Sequence, residues 1–224
     1  MRVLKGERSR RGENKTGMTR GLERIAGLIL AAGASTRMGR TKQLLRFNGA
    51  TLLERILNEA LDSELDKIFL ILGYQASEIK RALGQSLTHG KLQVIENRHY
   101  AQGISSSITA GLSAIEENYD HVMILLADLP HINSRLINLL LYGYLESGLP
   151  IGAIQVKSKR SHPVIFGKAL YHELHKLRGD VGAKAIFDKF GDRVCLVEPD
   201  FNFNDRDIDT PEDYAAFQRK RLNE

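Results

Sequence analysis

Ile25-Ala26-Gly27-Leu28-Ile29-Leu30-Ala31-Ala32-Gly33-Ala34-Ser35-Thr36-Arg37-Met38-Gly39-Arg40-Thr41-Lys42 is the stretch whose reading decides the fold. It begins as an apolar run short enough to be a strand buried on both faces. The run then breaks into small residues, two glycines and three cations. A strand that empties into such a loop is built to receive an anion. Glycine lets the backbone approach a phosphate, exposed N–H groups bond its oxygens, and Arg37 and Lys42 supply charge. The loop is not a P-loop, which needs four residues between its glycines and then Lys-Ser or Lys-Thr. Here five residues separate Gly33 from Gly39, and Arg40-Thr41 follows. A G-x-G-x-x-G dinucleotide fingerprint is also absent.

Beyond the loop the pattern alternates between helical and strand periods. Leu52, Leu53, Ile56, Leu57, Ala60 and Leu61 predict a helix over 51–62, and 66–72 reads as a second buried strand stopped by Gly73. A short helix over 77–83, a strand over 91–95, a helix over 106–117 and a strand over 121–126 follow, and Asn133 caps the next helix. Such alternation implies parallel strands joined by right-handed crossovers. The expected fold is α/β and three-layered, a mostly parallel Rossmann-like sheet flanked by helices. Strand-like runs over 151–156 and 162–166, separated by Lys157-Ser158-Lys159-Arg160, suggest a hairpin on the sheet edge or a small subdomain. A last strand covers 193–197. In Thr210-Pro211-Glu212-Asp213, Thr210 is the N-cap of a final helix, Pro211 its first residue and Asp213 the partner in a capping box.

Asp128 follows the apolar run Val122-Met123-Ile124-Leu125-Leu126 and so emerges at the carboxyl end of a strand. In open α/β sheets that edge binds ligands. A carboxylate there suits Mg²⁺, which takes one or two carboxylates together with phosphate oxygens and water. Ser105, Ser106 and Ser107 open a helix, where hydroxyls and free N–H groups meet base edges or phosphate.

Leu30-Ala31-Ala32-Gly33-x-Ser35-x-Arg37-Met38-Gly39-x-x-Lys42, then Leu44-Leu45, resembles the signature of the MobA-like nucleotidyltransferase family, and within it the molybdenum-cofactor cytidylyltransferases. Five later segments extend the resemblance. Gly73-Tyr74-Gln75 is similar to a position near the base, and Gly103-Ile104-Ser105-Ser106-Ser107 to the segment beside the nucleotide, with Ile104 where methionine is usual. Asp207-Ile208-Asp209-Thr210-Pro211 is similar to the closing motif, whose Asp before Thr-Pro helps Asp128 hold the metal. Either Asp209 or Asp207, which would share its face in an extended segment, could then be the second ligand, and Asp209 is favoured. Ser161-His162-Pro163 and Gly179-Asp180-Val181-Gly182-Ala183-Lys184 resemble the acceptor-side segments, with Lys184 replacing the usual arginine and losing its bidentate grip.

The resemblance implies Mg²⁺-dependent transfer of CMP from CTP to the terminal phosphate of molybdopterin, with release of pyrophosphate. Arg37 and Lys42 would carry catalysis, and Leu30, Ala31, Ala32, Gly33, Gly73 and Ser105 to Ser107 would bind nucleotide. Asp128 and Asp209 would hold metal, and His162, Gly179, Asp180 and Lys184 would face the acceptor. It also implies that glycine in place of Ala32 marks guanylyl transfer. The alternatives are another nucleoside triphosphate or phosphorylated acceptor, and a non-catalytic protein that delivers cofactor to a molybdoenzyme.

Composition narrows the remaining classes. The 224 residues, 42% hydrophobic and 26% charged, suit a soluble α/β protein, and no apolar run nears a membrane span of about 20 residues. The single cysteine, Cys195, excludes an internal disulfide and reads as a core residue, so a reducing cytoplasm is expected. His172 and His175 read as surface residues. The net charge of +5 belongs to residues 1–24, with eight Lys/Arg against three acids, which leaves 24 of each sign in the rest. Residues 1–23 are therefore expected to be a disordered basic tail before one domain over 24–224. That tail lacks the apolar centre of a secretory signal and the aromatics of a nucleic-acid arm.

Overall fold

The structure, a computed structural model, describes residues 2–5, 23–35, 38–39 and 41–220. The chain runs through β1 (Arg2–Lys5), β2 (Ile25–Ala31), a small hairpin of β3 (Arg46–Phe47) and β4 (Ala50–Thr51), α1 (Leu52–Leu61) and β5 (Lys67–Leu72). It continues through α2 (Ala76–Leu83), β6 (Leu92–Glu96), α3 (Ile104–Ile115), β7 (His121–Leu126) and α4 (Ser134–Ser147). The last elements are β8 (Ile151–Val156), β9 (Lys159–Gly167), α5 (Tyr171–Leu174), α6 (Lys184–Phe190), β10 (Val194–Glu198) and α7 (Pro211–Lys220).

Eight strands form one sheet in the order β1-β10-β8-β9-β7-β2-β5-β6, parallel throughout except for β9. Alternation along β2 divides the core into two layers. Ile29 and Ala31 join Leu53, Ile56, Leu57, Ile79 and Leu140 under α1, α2 and α4. Ala26, Leu28 and Leu30 join Ile108, Leu112, Leu174 and Phe187 under α3, α5 and α6. Both faces are covered, which is why the central strands read as unbroken apolar runs.

Local chemistry sets the helix starts. Thr51 and Glu54 form a reciprocal capping box on α1, with Thr51 Oγ1 accepting from the Glu54 N–H at 3.1 Å. Asn133 Oδ1 accepts from the Leu136 N–H at 2.9 Å at the head of α4. Cys195 lies fully buried in β10. No helix among the described residues is long and apolar enough to cross a membrane.

Two expectations need correction. The β8–β9 hairpin is not on the edge: β9 lies between β7 and β8, antiparallel to both. Val164, Ile165 and Phe166 bury against both layers of the core, an environment available only inside the sheet. The β8 register shifts between Ala153 and Ile154, whose partners are Val164 and Ser161, so His162 and Pro163 form a bulge that spares Pro163 a ladder donor. Residues 2–5, assigned to the disordered tail, instead pair in parallel with β10 from Arg2↔Cys195 to Lys5↔Glu198. The exposed edge of β10 offers its backbone N–H and C=O groups to them. Residues 6–22 of the expected tail lie outside the described residues.

Candidate active site

β2 pairs with β5 on one side and β7 on the other, so the chain order reverses around it. Because these pairs are parallel, the loops after β2, β5 and β7 leave from one edge and frame a crevice, the usual ligand position in such sheets.

The loop after β2 is held by a residue that motif reading passed over. Gln43 is 2% exposed, and its Nε2 donates to the carbonyls of Ala31 and Gly33, both at 3.1 Å. Its Oε1 accepts from Ser35 Oγ at 3.3 Å, and Ser35 Oγ accepts from the Lys42 N–H at the same distance. The available signal was one amide between Lys42 and the apolar pair Leu44-Leu45, in a turn too short to expose all its side chains. Met38 anchors the far side of the loop against Leu45, Phe47, Leu52, Ile208 and Phe217. Arg37, assigned a catalytic role, lies outside the described residues with Thr36 and Arg40.

Lys42 reaches from this loop to the end of β7. Its ammonium lies 2.6 Å from Asp128 Oδ2 and 2.9 Å from Asp209 Oδ1. Asp209 is set in place by its neighbours: the Ile208 N–H donates to the Asp128 carbonyl at 3.0 Å. The capping box on α7 holds its other side, with the Thr210 N–H donating to Asp213 Oδ2 at 2.9 Å and Thr210 Oγ1 accepting from the Asp213 N–H at 3.2 Å. Burial works against the Lys42 charge, yet Asp128 and Asp209 overcome it and raise the lysine pKa above its ordinary value. Asp207 feels the opposite balance, as burial and then the charges of Asp209 and Asp128 raise its carboxyl pKa.

Asp128 Oδ1 is buried and has no hydrogen-bond partner among the described residues. A buried carboxylate oxygen without a donor is costly unless a cation takes it. Two carboxylates converging on one ammonium, with that acceptor to spare, fit a hard divalent ion, and Asp128 and Asp209 are the residues that would hold it.

The serines at the head of α3 stand on a second overlooked residue. Asn97 is 4% exposed and donates through Nδ2 to Ser106 Oγ at 2.8 Å and Ser107 Oγ at 3.1 Å. Its own N–H donates to the Leu72 carbonyl at 2.7 Å, tying these serines to the end of β5. Ser105 and Ser107 are buried, and Ser106 is half-buried with its hydroxyl on the Gly103 carbonyl. Asn97→Ala is expected to cost about 1–3 kcal/mol, because both hydroxyls lose a donor in a buried setting. Urea denaturation measures this, and an unchanged midpoint would remove Asn97 from the scaffold.

Gly73 is tightly packed: a Cβ there would stand 2.5 Å from Tyr100 Cβ and 2.9 Å from Ala32 Cβ. The Ala32 carbonyl accepts from the Tyr74 N–H at 3.0 Å, so the Ala31 and Ala32 carbonyls both carry internal bonds. Leu30, Ala31 and Ala32 are buried, and Gly33 is exposed with open space at its Cα.

Among the residues expected to face an acceptor, Asp180 docks on α3, its Oδ1 accepting from the Ile104 N–H at 3.1 Å. Gly179 approaches Gly103 so closely that a Cβ on Gly103 would lie 2.6 Å from the Gly179 carbonyl oxygen. His162, in the β9 bulge, is half-buried, with its Nδ1 enclosed and unpartnered among the described residues. Burial lowers its pKa, while its bond to the Ile124 backbone and the nearby Asp128 charge oppose the shift. Lys184 is set at the exposed head of α6.

A family model described as "MobA-like NTP transferase domain" matches residues 27–194. The nicotine blue oxidoreductase of Paenarthrobacter nicotinovorans is 25% identical over 195 residues, covering 84% of this chain and 93% of that protein. The molybdenum cofactor cytidylyltransferase of Escherichia coli K12 is 33% identical over 104 residues, covering 46% of this chain and 50% of that enzyme. Among solved structures, Rv0371c from Mycobacterium tuberculosis H37Rv superposes with a TM-score of 0.76 at 24% identity, covering 88% of this chain and 98% of that one.

Proposed function

From the premise that the chain belongs to the MobA-like NTP transferase family and is a nucleotidyltransferase, we propose that it transfers CMP from CTP to the terminal phosphate of a molybdopterin-type acceptor in the cytoplasm. The observation that carries this reading is the cation centre, in which Lys42 from the phosphate loop meets Asp128 and Asp209 at the crevice between β2 and β7.

The acceptor phosphate is ionised near neutral pH and needs no base from the protein. One of its oxygens forms a bond to the α-phosphorus as the bond to the bridging oxygen breaks, and that electron pair leaves with pyrophosphate. The chain's task is to position the reactants and to neutralise charge. The loop of Ala32 to Lys42 wraps the triphosphate, with the exposed backbone at Gly33 offering close approach and Lys42 balancing charge on the phosphates. Ser106 and the head of α3 lie beside the nucleotide, and His162 and the 179–182 segment border the acceptor. Bound Mg²⁺, held by Asp128 and Asp209, would supply additional charge neutralisation on phosphate oxygens. The redox activity in the name of the Paenarthrobacter relative belongs to that protein, and the lysine–carboxylate centre here supports phosphoryl chemistry.

The test is label transfer from α-³²P nucleoside triphosphates to molybdopterin and a panel of phosphorylated acceptors, with and without Mg²⁺. Metal-dependent labelling of molybdopterin by CTP is the expected result. Transfer to a different acceptor would reassign the substrate. No pyrophosphate release with any pair would overturn catalysis and favour a cofactor-delivery protein that hands its cargo to a molybdoenzyme.

A further inference from the structure

Lys42 comes from the phosphate loop, Asp128 from the end of β7, and Asp209 from the segment leading into α7. One ammonium therefore ties three separate elements together, 2.6 Å from one carboxylate and 2.9 Å from the other. These are the oxygens that would take a divalent ion. The ammonium and the ion are thus competitors for the same acceptors, while Asp128 Oδ1 stays buried with no partner among the described residues.

We propose that Lys42 is the site's internal cation, occupying the metal position until a divalent ion displaces it, and that displacement frees it to engage the nucleotide phosphates. This rests on the nucleotide-and-metal reading above and adds the order of events to it. A triphosphate arriving without metal has to pull the ammonium away, leaving two carboxylates facing its own negative charge. A metal arriving alone has to evict the ammonium with nothing yet to receive it. Arriving together, the metal takes the carboxylates and the phosphates take the lysine, and every charge keeps a partner. The exchange makes the two ligands mutually reinforcing, and that coupling is reciprocal.

The test uses the full chain and Mn²⁺ alone as probe, titrated without nucleotide and followed by the paramagnetic resonance of the free ion. Lys42→Met, which keeps the stem and removes the charge, is expected to bind Mn²⁺ about tenfold or more tighter than wild type, within the usual span of site coupling. Lys42→Arg, which keeps a cation, is expected to bind it as weakly as wild type. In wild-type protein labelled with ¹⁵N at lysine Nζ, saturating Mg²⁺ is expected to move the Lys42 ammonium signal toward that of a free lysine, a measurement that does not depend on any variant folding. A Met variant with unchanged Mn²⁺ affinity, or a Lys42 signal that ignores Mg²⁺, overturns the exchange. If nucleotidyl transfer is then still observed, the proposed reaction stands without it. If the Met variant gains affinity and the Lys42 signal moves, but no nucleotide is ever turned over, the exchange stands and the proposed reaction falls.

Discussion

Asp128→Asn is expected to slow nucleotidyl transfer by roughly 10²- to 10³-fold, comparable to losing one fixed electrostatic contact to a developing charge. Asparagine keeps the shape of the side chain but removes the negative charge that meets Lys42 at 2.6 Å. It also replaces one acceptor oxygen with an amide that repels a cation. The fold should tolerate the change, because the link to the 208–209 segment uses the Asp128 backbone carbonyl, which asparagine retains. Lys42 also keeps Asp209 as a partner. Pyrophosphate-release kinetics measure the loss, alongside a melting temperature expected to stay within a few degrees of wild type. A rate within tenfold of wild type would remove Asp128 from the mechanism.

Gly103→Ala is expected to destabilise the protein by about 2–5 kcal/mol, the combined cost of backbone strain and overpacking. Gly103 has φ 95° and ψ 176°, a region that side chains other than glycine's hydrogen scarcely enter. Its missing Cβ leaves the space in which Gly179 and Asp180 approach the head of α3. A methyl group there must push the 179–180 segment outward and loosen the bond from the Ile104 N–H to Asp180. Against a total stability of order 5–15 kcal/mol, the loss is large enough to see directly in guanidinium unfolding. A cost below about 0.5 kcal/mol would show that the two segments part without effort, and that their contact does not define the site.

What was legible in the sequence was local or periodic. The apolar run of β2, the Thr210–Asp213 capping box and the Asn133 cap each depend on residues a few positions apart. The strand-end rule drew attention to Asp128 from its position alone, and the structure brings it within reach of Lys42 and Asp209. The order of strands was not legible, because what decides that β9 enters between β7 and β8 is burial of Val164 to Phe166 against two layers contributed by distant elements. The supporting amides were missed for a related reason. Gln43 finds its acceptors at Ala31 and Gly33, and Asn97 its hydroxyls at Ser106 and Ser107, after the chain has doubled back. A lone polar residue carries no pattern that announces such partners. β1 was missed because Val3 and Leu4 are too few to signal a strand until an open edge is offered.

The path of the C-terminal segment carries a consequence for synthesis. Lys42 and Asp209 are 167 residues apart, and the contact between them closes one of the longest loops the chain contains. Strands β2, β5, β6 and β7 have their pairing partners well before that point, so a nascent chain is able to assemble half its sheet and the phosphate loop while its last residues are still inside the ribosome. During that interval Lys42 and Asp128 face each other without the third member. Contacts of such long range are also the slowest to form on kinetic grounds. A chain cut short anywhere before residue 209 retains much of the scaffold's sequence but never completes the Lys42–Asp128–Asp209 cluster, so on the proposed reaction truncated translation products would be inert bystanders in the cell.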